Sequence, residues 1–143
     1  MWAALAANLA ANDGCEKCEV FEGFASRRPL VLGLLDAASG YGASAAAGAP
    51  AACRTVEDLE RHADGTRQPF TALIADCEGF LGTFLDENPR LLDGLELVVY
   101  EADAPDVCDY AGIRRLLRAH AFECVVAGEQ NVWRRRGGAR ATA

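Results

Sequence analysis

The sequence predicts a single α/β domain on a largely parallel sheet, closed by an antiparallel C-terminal hairpin. Three observations predict it. Apolar segments of strand length alternate along the chain with segments of helical period. Two of the strands, 70–75 and 95–100, run directly into acidic residues and then into a helical segment. The chain has 143 residues, 51% hydrophobic and 24% charged, enough for one core and too few for two comfortable ones.

The elements follow in order. Residues 2–12 are mostly alanine with Trp2, Leu5 and Leu9 at helical spacing, and Asn12-Asp13-Gly14 supplies the stop. Residues 19–24 alternate as a partly buried strand, and Pro29–Leu35 is an apolar run suited to a buried strand or to a helix. Residues 37–52, rich in Ala, Gly and Ser, read as a long loop. Thr55 caps a helix that has acids in its first turn and reaches about His62. Phe70–Ala75 is a strand; Phe80, Leu81, Phe84 and Leu85 give a helical face that stops near Pro89. Leu95–Tyr100 is the clearest strand. Asp109 caps a helix whose inner face is Ile113, Leu116, Leu117 and His120. Phe122–Val126 and Val132–Arg134 then form a hairpin around Gly128–Asn131, and residues 137–143 form a flexible tail.

Charge narrows the function. Lys and Arg number 14 against 21 Asp and Glu, a formal charge of −7. Such a chain is not expected to bind nucleic acid, whose phosphates demand positive surface, or an anionic membrane face. No apolar run reaches the length of a membrane span, and Met1–Leu5 has no positive n-region, so a cytoplasmic location with free thiols is expected. Cys15-Glu16-Lys17-Cys18 is one C-x-x-C, too few ligands for tetrahedral zinc and placed before a strand rather than at a helix start. His120 reads as a core or helix-end residue and His62 as solvated. Ser26, Ser39 and Ser44 lack a nucleophile elbow, and Arg134–Arg136 read as a solvated strand end.

The chemistry converges on acids. In open α/β sheets ligands bind at the carboxyl ends of the strands. Two strands here end in pairs, Asp76/Glu78 and Glu101/Asp103, and adjacent strands would bring four carboxylates to one rim. Such a rim can hold a divalent cation, position a general base or bind a cationic ligand. Equally, Glu78 and Asp103 can serve as helix caps. A carboxylate metal site for hydrolysis is a further reading, although no histidine accompanies the acids.

Residues Ala72-Leu73-Ile74-Ala75-Asp76-Cys77-Glu78-Gly79 resemble the signature of the FkbM family of methyltransferases, a hydrophobic strand followed by Asp-x-Glu-Gly. The neighbouring pieces agree in order. Asn8–Asn12 followed by Lys17–Val20 is similar to the family's helix and third core strand. Arg54–Leu59 is similar to the step before the signature, Leu97–Glu101 to the next strand, and Tyr110–Phe122 to the helix and turn after it. The resemblance implies a Rossmann-like sheet, S-adenosylmethionine as cofactor, and O-methyl transfer to a hydroxyl of a small molecule or sugar. It implies Asp76 and Glu78 as catalytic residues, Glu101 at the substrate, and Phe24, Ala25 and Ser26 at the cofactor, with a divalent cation as a possible addition. It also implies that the first βαβ unit and its glycine-rich cofactor turn have no counterpart. Residues 1–136 are then expected to form a partial domain, incomplete or inactive by itself, with apolar edges beside 18–24 and 70–75 open to self-association. Two alternatives stand beside this: Asp36–Gly42 as a reduced cofactor loop, or a non-catalytic α/β module that pairs with another chain.

Overall fold

A computed structural model describes residues 2–12, 18–36, 41–46, 52–61 and 65–137. Among them the chain order is α1 (Trp2–Ala11), β1 (Phe24–Ala25), β2 (Val31–Asp36), β3 (Tyr41–Ala46), β4 (Cys53–Arg54), α2 (Val56–Leu59), β5 (Ala72–Ala75), α3 (Leu81–Glu87), α4 (Leu91–Gly94), β6 (Leu97–Glu101), α5 (Tyr110–Ala119), β7 (Phe122–Val126) and β8 (Gln130–Arg135). The protein is α/β with a mixed main sheet in the order β5-β6-β8-β7. β5 and β6 are parallel; β8 runs antiparallel to both β6 and β7.

One core follows from this arrangement. The alternation of strand side chains puts Val98, Tyr100 and Trp133 on one sheet face, where all three are buried. Leu81 and Leu85 of α3, Leu92 of α4, and Ile113 and Leu117 of α5 pack with them in a single cluster. The other face carries Ile74, Val99 and Val132 in one cross-strand row. Ile74 is 77% exposed, and among the described residues β5 is an edge strand with only β6 beside it. Among the described residues no helix is long and apolar enough to cross a membrane.

Several expectations are corrected. The strand expected over 19–24 reduces to Phe24–Ala25, which pairs in parallel with Cys53–Arg54 in a two-stranded sheet of its own. The apolar run before Asp36 is a strand, but it pairs antiparallel with Tyr41–Ala46 in a separate hairpin rather than joining the main sheet. The loop expected over 37–52 therefore contains β3; residues 37–40 and 47–51 lie outside the described residues. Main-chain pairing, indifferent to side-chain size, overrides the low strand propensity of Ala, Gly and Ser there. The main sheet is not largely parallel, because β8 lies between β6 and β7. The short helix α4 was not anticipated. Arg134 and Arg135 are not simply solvated: Arg134 pairs with Glu123 at 2.8 Å, and Arg135 donates to the carbonyls of Leu92, Leu95 and His120. Thr55 does cap α2 in a reciprocal box with Asp58, and Asp109 caps α5 through the Gly112 N–H at 2.8 Å.

Glu87, at the end of α3, ties the β1 segment to the main unit. Its Oε2 accepts from Ser26 Oγ at 2.8 Å and from the Arg27 N–H at 2.9 Å, and its Oε1 accepts from Arg28 Nε at 2.5 Å. Its side chain is 7% exposed. Burial acts to raise the carboxyl pKa, but the Arg27 N–H, Arg28 and Ser26 outweigh it and hold the pKa below the ordinary value. A carboxyl lowered in the folded state contributes stability above its unfolded pKa and loses it as pH falls through the folded one. Glu87→Gln is thus expected to cost about 2 kcal/mol at neutral pH. The gap between variant and parent should close as pH falls through the lowered folded-state value of Glu87. Urea denaturation across a descending pH series checks this, and a gap that stays constant as acid is added would show that charge is not what the contact uses.

Candidate functional site

Because β5 and β6 are parallel neighbours, their carboxyl ends open at the same end of the sheet. Asp76 follows β5 directly, and Asp103 lies two residues beyond the end of β6. Asp76, Glu78 and Asp103 each place a carboxylate oxygen so that all three lie within 4.8 Å of one another. The turn between β5 and α3 makes this possible. Glu78 has φ 48° and Gly79 φ 84°, two successive left-handed residues that swing the chain back over the rim. A non-glycine residue in that conformation costs about 1–2 kcal/mol. At Gly79 a Cβ would come within 2.4 Å of Val107 Cγ2 and 3.1 Å of Ala104 Cβ. Glycine at 79 therefore lets the turn press against the loop that carries Asp103.

The charges at the rim act on each other. Glu78 is raised above the ordinary glutamate value, chiefly because its carboxyl can share a hydrogen bond with Asp103, with burial and the charges of Asp103, Asp76 and Glu101 adding to it. The Tyr110 hydroxyl donates to Asp103 Oδ1 at 3.2 Å and accepts from the Ala104 N–H at 3.4 Å. The Tyr110 ring stacks on Tyr100, with centroids 5.9 Å apart and planes 5° off parallel. Burial first, then Asp103, push the Tyr110 hydroxyl up to about 12, so it stays a donor at neutral pH. Burial and the charges of Cys108, Asp103 and Asp76 push Cys77 up to about 11, and its thiol remains protonated and non-nucleophilic.

The residues expected from sequence fall in different places. Asp76 and Glu78 meet at the rim with Asp103. Glu101 closes β6 opposite Gln130, near enough to weigh on Glu78 but outside the three-acid group. Phe24 and Ala25 form β1, and Ser26 is buried with its hydroxyl on Glu87, at the far end of α3 from the rim. His120 closes α5 and lies 3.4 Å from Asp93, a helix-end residue as expected. Cys18 is exposed; Cys15, His62 and residues 37–40 of the alternative cofactor loop lie outside the described residues. Tyr110 joins the site through Asp103, and nothing in their seven-residue separation announces the contact in the sequence.

The donor set suits a hard divalent cation: three carboxylate oxygens on a partly open rim, with room for water to complete the shell. Among the described residues no glycine-rich turn stands beside the rim, and the Ser26 hydroxyl and Arg27 N–H are both spent on Glu87. No family model, curated protein or solved structure matches this chain.

Proposed function

We propose that this chain is a methyltransferase-type α/β unit, similar to the FkbM family, whose rim of Asp76, Glu78 and Asp103 holds a divalent cation and, through it, the hydroxyl of a small-molecule or sugar acceptor. The observation that carries the reading is the meeting of the Asp-x-Glu-Gly turn with Asp103 at the carboxyl end of the parallel β5–β6 pair. The sheet adds support, since two parallel strands linked through α3 and followed by an antiparallel hairpin are what the resemblance implies for the C-terminal part of such a domain. In this reading a carboxylate of the rim takes the acceptor's proton, or the cation makes that proton easier to lose. Tyr110 keeps Asp103 turned toward the rim. Because the resemblance leaves the family's glycine-rich cofactor turn without a counterpart in this chain, S-adenosylmethionine, the methyl source it implies, is expected to bind this chain weakly or not at all.

Calorimetry tests both halves. Mg²⁺ or Mn²⁺ should bind the parent chain, and S-adenosylmethionine alone should give no saturable heat. Absence of cation binding overturns the rim. Micromolar affinity for S-adenosylmethionine overturns the expectation of weak binding and returns attention to Asp36–Gly42.

A further inference from the structure

The bonding of β5 to β6 determines which groups β5 presents on its outer side. In a parallel pair only alternate residues of a strand bond a given neighbour. The Leu97 N–H donates to the Thr71 carbonyl at 3.3 Å, and the register sets Leu73 beside Val98 and Ala75 beside Tyr100. Thr71, Leu73 and Ala75 therefore turn their main chain to β6, and Phe70, Ala72, Ile74 and Asp76 turn theirs away. Phe70 follows the alternation: its N–H meets Glu60 Oε1 at 3.2 Å, outside the sheet. Glu60 in turn holds Arg67 at 2.5 Å. The outer row is thus capped at Phe70, with an arginine beside the cap, and open from Ala72 onward. Among the described residues nothing pairs with the outward N–H and C=O groups of Ala72 and Ile74. Both residues are exposed, as is Asp76.

We infer that two copies of this chain pair through this row, β5 antiparallel to β5 about a two-fold axis. The open groups fix the register. Ala72, Ile74 and Asp76 are the outward residues beyond the cap. The one antiparallel arrangement that uses all three sets Ile74 opposite the partner's Ile74, and Ala72 opposite the partner's Asp76. Each such pair exchanges two main-chain hydrogen bonds, about six in all. A register two residues nearer the amino end would meet the Phe70 N–H that Glu60 already occupies. The surface is self-complementary and closes on itself, so it gives a dimer and not a filament. Charge selects the antiparallel sense. A parallel pairing would set the two acid rims side by side. In the antiparallel one, Asp76 lies four strand positions from the partner's Asp76, about 13 Å. That exceeds the reach of a charge at physiological salt, about 8 Å. Each rim also approaches the end of β5 that carries Arg67. Burial favours the same arrangement. Ile74, 77% exposed, meets its counterpart, and the row Val132–Val99–Ile74 runs on into the same row of the partner. The pairing is independent of any methyl transfer.

Sedimentation equilibrium of the full chain, from micromolar to millimolar concentration, should show a monomer–dimer equilibrium. Ile74→Lys sets two ammonium groups against each other at the axis and should weaken the dimer at least about tenfold. Ala72→Pro removes an outward N–H that β6 does not use; it should weaken the dimer similarly and leave the circular dichroism of the monomer unchanged. In a mixture of labelled and unlabelled chains, an isotope-filtered nuclear Overhauser contact is expected between Leu73 Hα and Hα of the partner's Ala75. These two residues face each other as the close, non-hydrogen-bonded pair of this register. A chain that stays monomeric to millimolar concentration, growth past the dimer, a dimer that Ile74→Lys leaves intact, or a dimer without that contact overturns the pairing.

Discussion

Arg135→Ala should lower stability by about 3 kcal/mol. Its guanidinium donates to three carbonyls at once: Leu95 at 2.7 Å, His120 at 3.0 Å, and Leu92. It also lies 4.6 Å from the ring centroid of Phe122. Those carbonyls belong to α4, to its C-terminal cap and to the end of α5, and Leu92 and Leu95 are almost wholly buried. Removing the donor leaves acceptors that water reaches poorly. For a chain of this size the loss corresponds to about 10 °C in Tm. Arg135→Lys should lose roughly half as much, since an ammonium cannot span three acceptors in the plane of a guanidinium. Chemical denaturation followed by circular dichroism reads both variants. A loss for Arg135→Ala of under about 1 kcal/mol would mean that solvent replaces the donor.

Asp76→Asn should separate stability from function. Cation affinity should fall at least about tenfold, and any acceptor deprotonation that depends on the rim should slow by about 10²–10⁴-fold. The fold should not suffer, because Asp76 is exposed and its charge opposes that of Glu78. The thermal midpoint without cation should therefore hold or rise slightly. The pH dependence has a definite sign. Glu78 binds its proton more readily than an ordinary glutamate, so cation binding should weaken as pH falls through that raised value, earlier than an isolated carboxylate would dictate. Cation titration of parent and variant at several pH values gives the answer, and equal affinity in the two would remove Asp76 from the site.

How much of this was legible depends on how local the cause was. α5, with its Asp109 cap, and β6 were legible because each carries its own period and punctuation within ten residues or so. Asp76 and Glu78 were legible because an apolar strand runs straight into them. Asp103 was visible as one of four acids, but nothing in the chain says that it, rather than Glu101, completes the group. That choice is made by the path of residues 102–109, held by Tyr110 and pressed by Gly79. β3 was missed for a related reason: Tyr41–Ala46 has little strand preference of its own and is a strand only through its pairing with β2. Arg135 looked like the start of a solvated tail because its three acceptors lie 15 to 43 residues away in sequence.

The side of β5 that no described residue covers bears on how copies of this chain meet. From Phe70 to Ala75 the sequence contains no charge and no proline, the usual means by which an outer strand is kept from adding another. In dilute buffer the force that opposes such stacking is mutual repulsion, each molecule carrying a formal −7. Dissolved ions shorten the reach of that repulsion to about 8 Å at physiological strength. Crowding of one molecule upon another, at any given concentration, should therefore grow with the salinity of the surroundings.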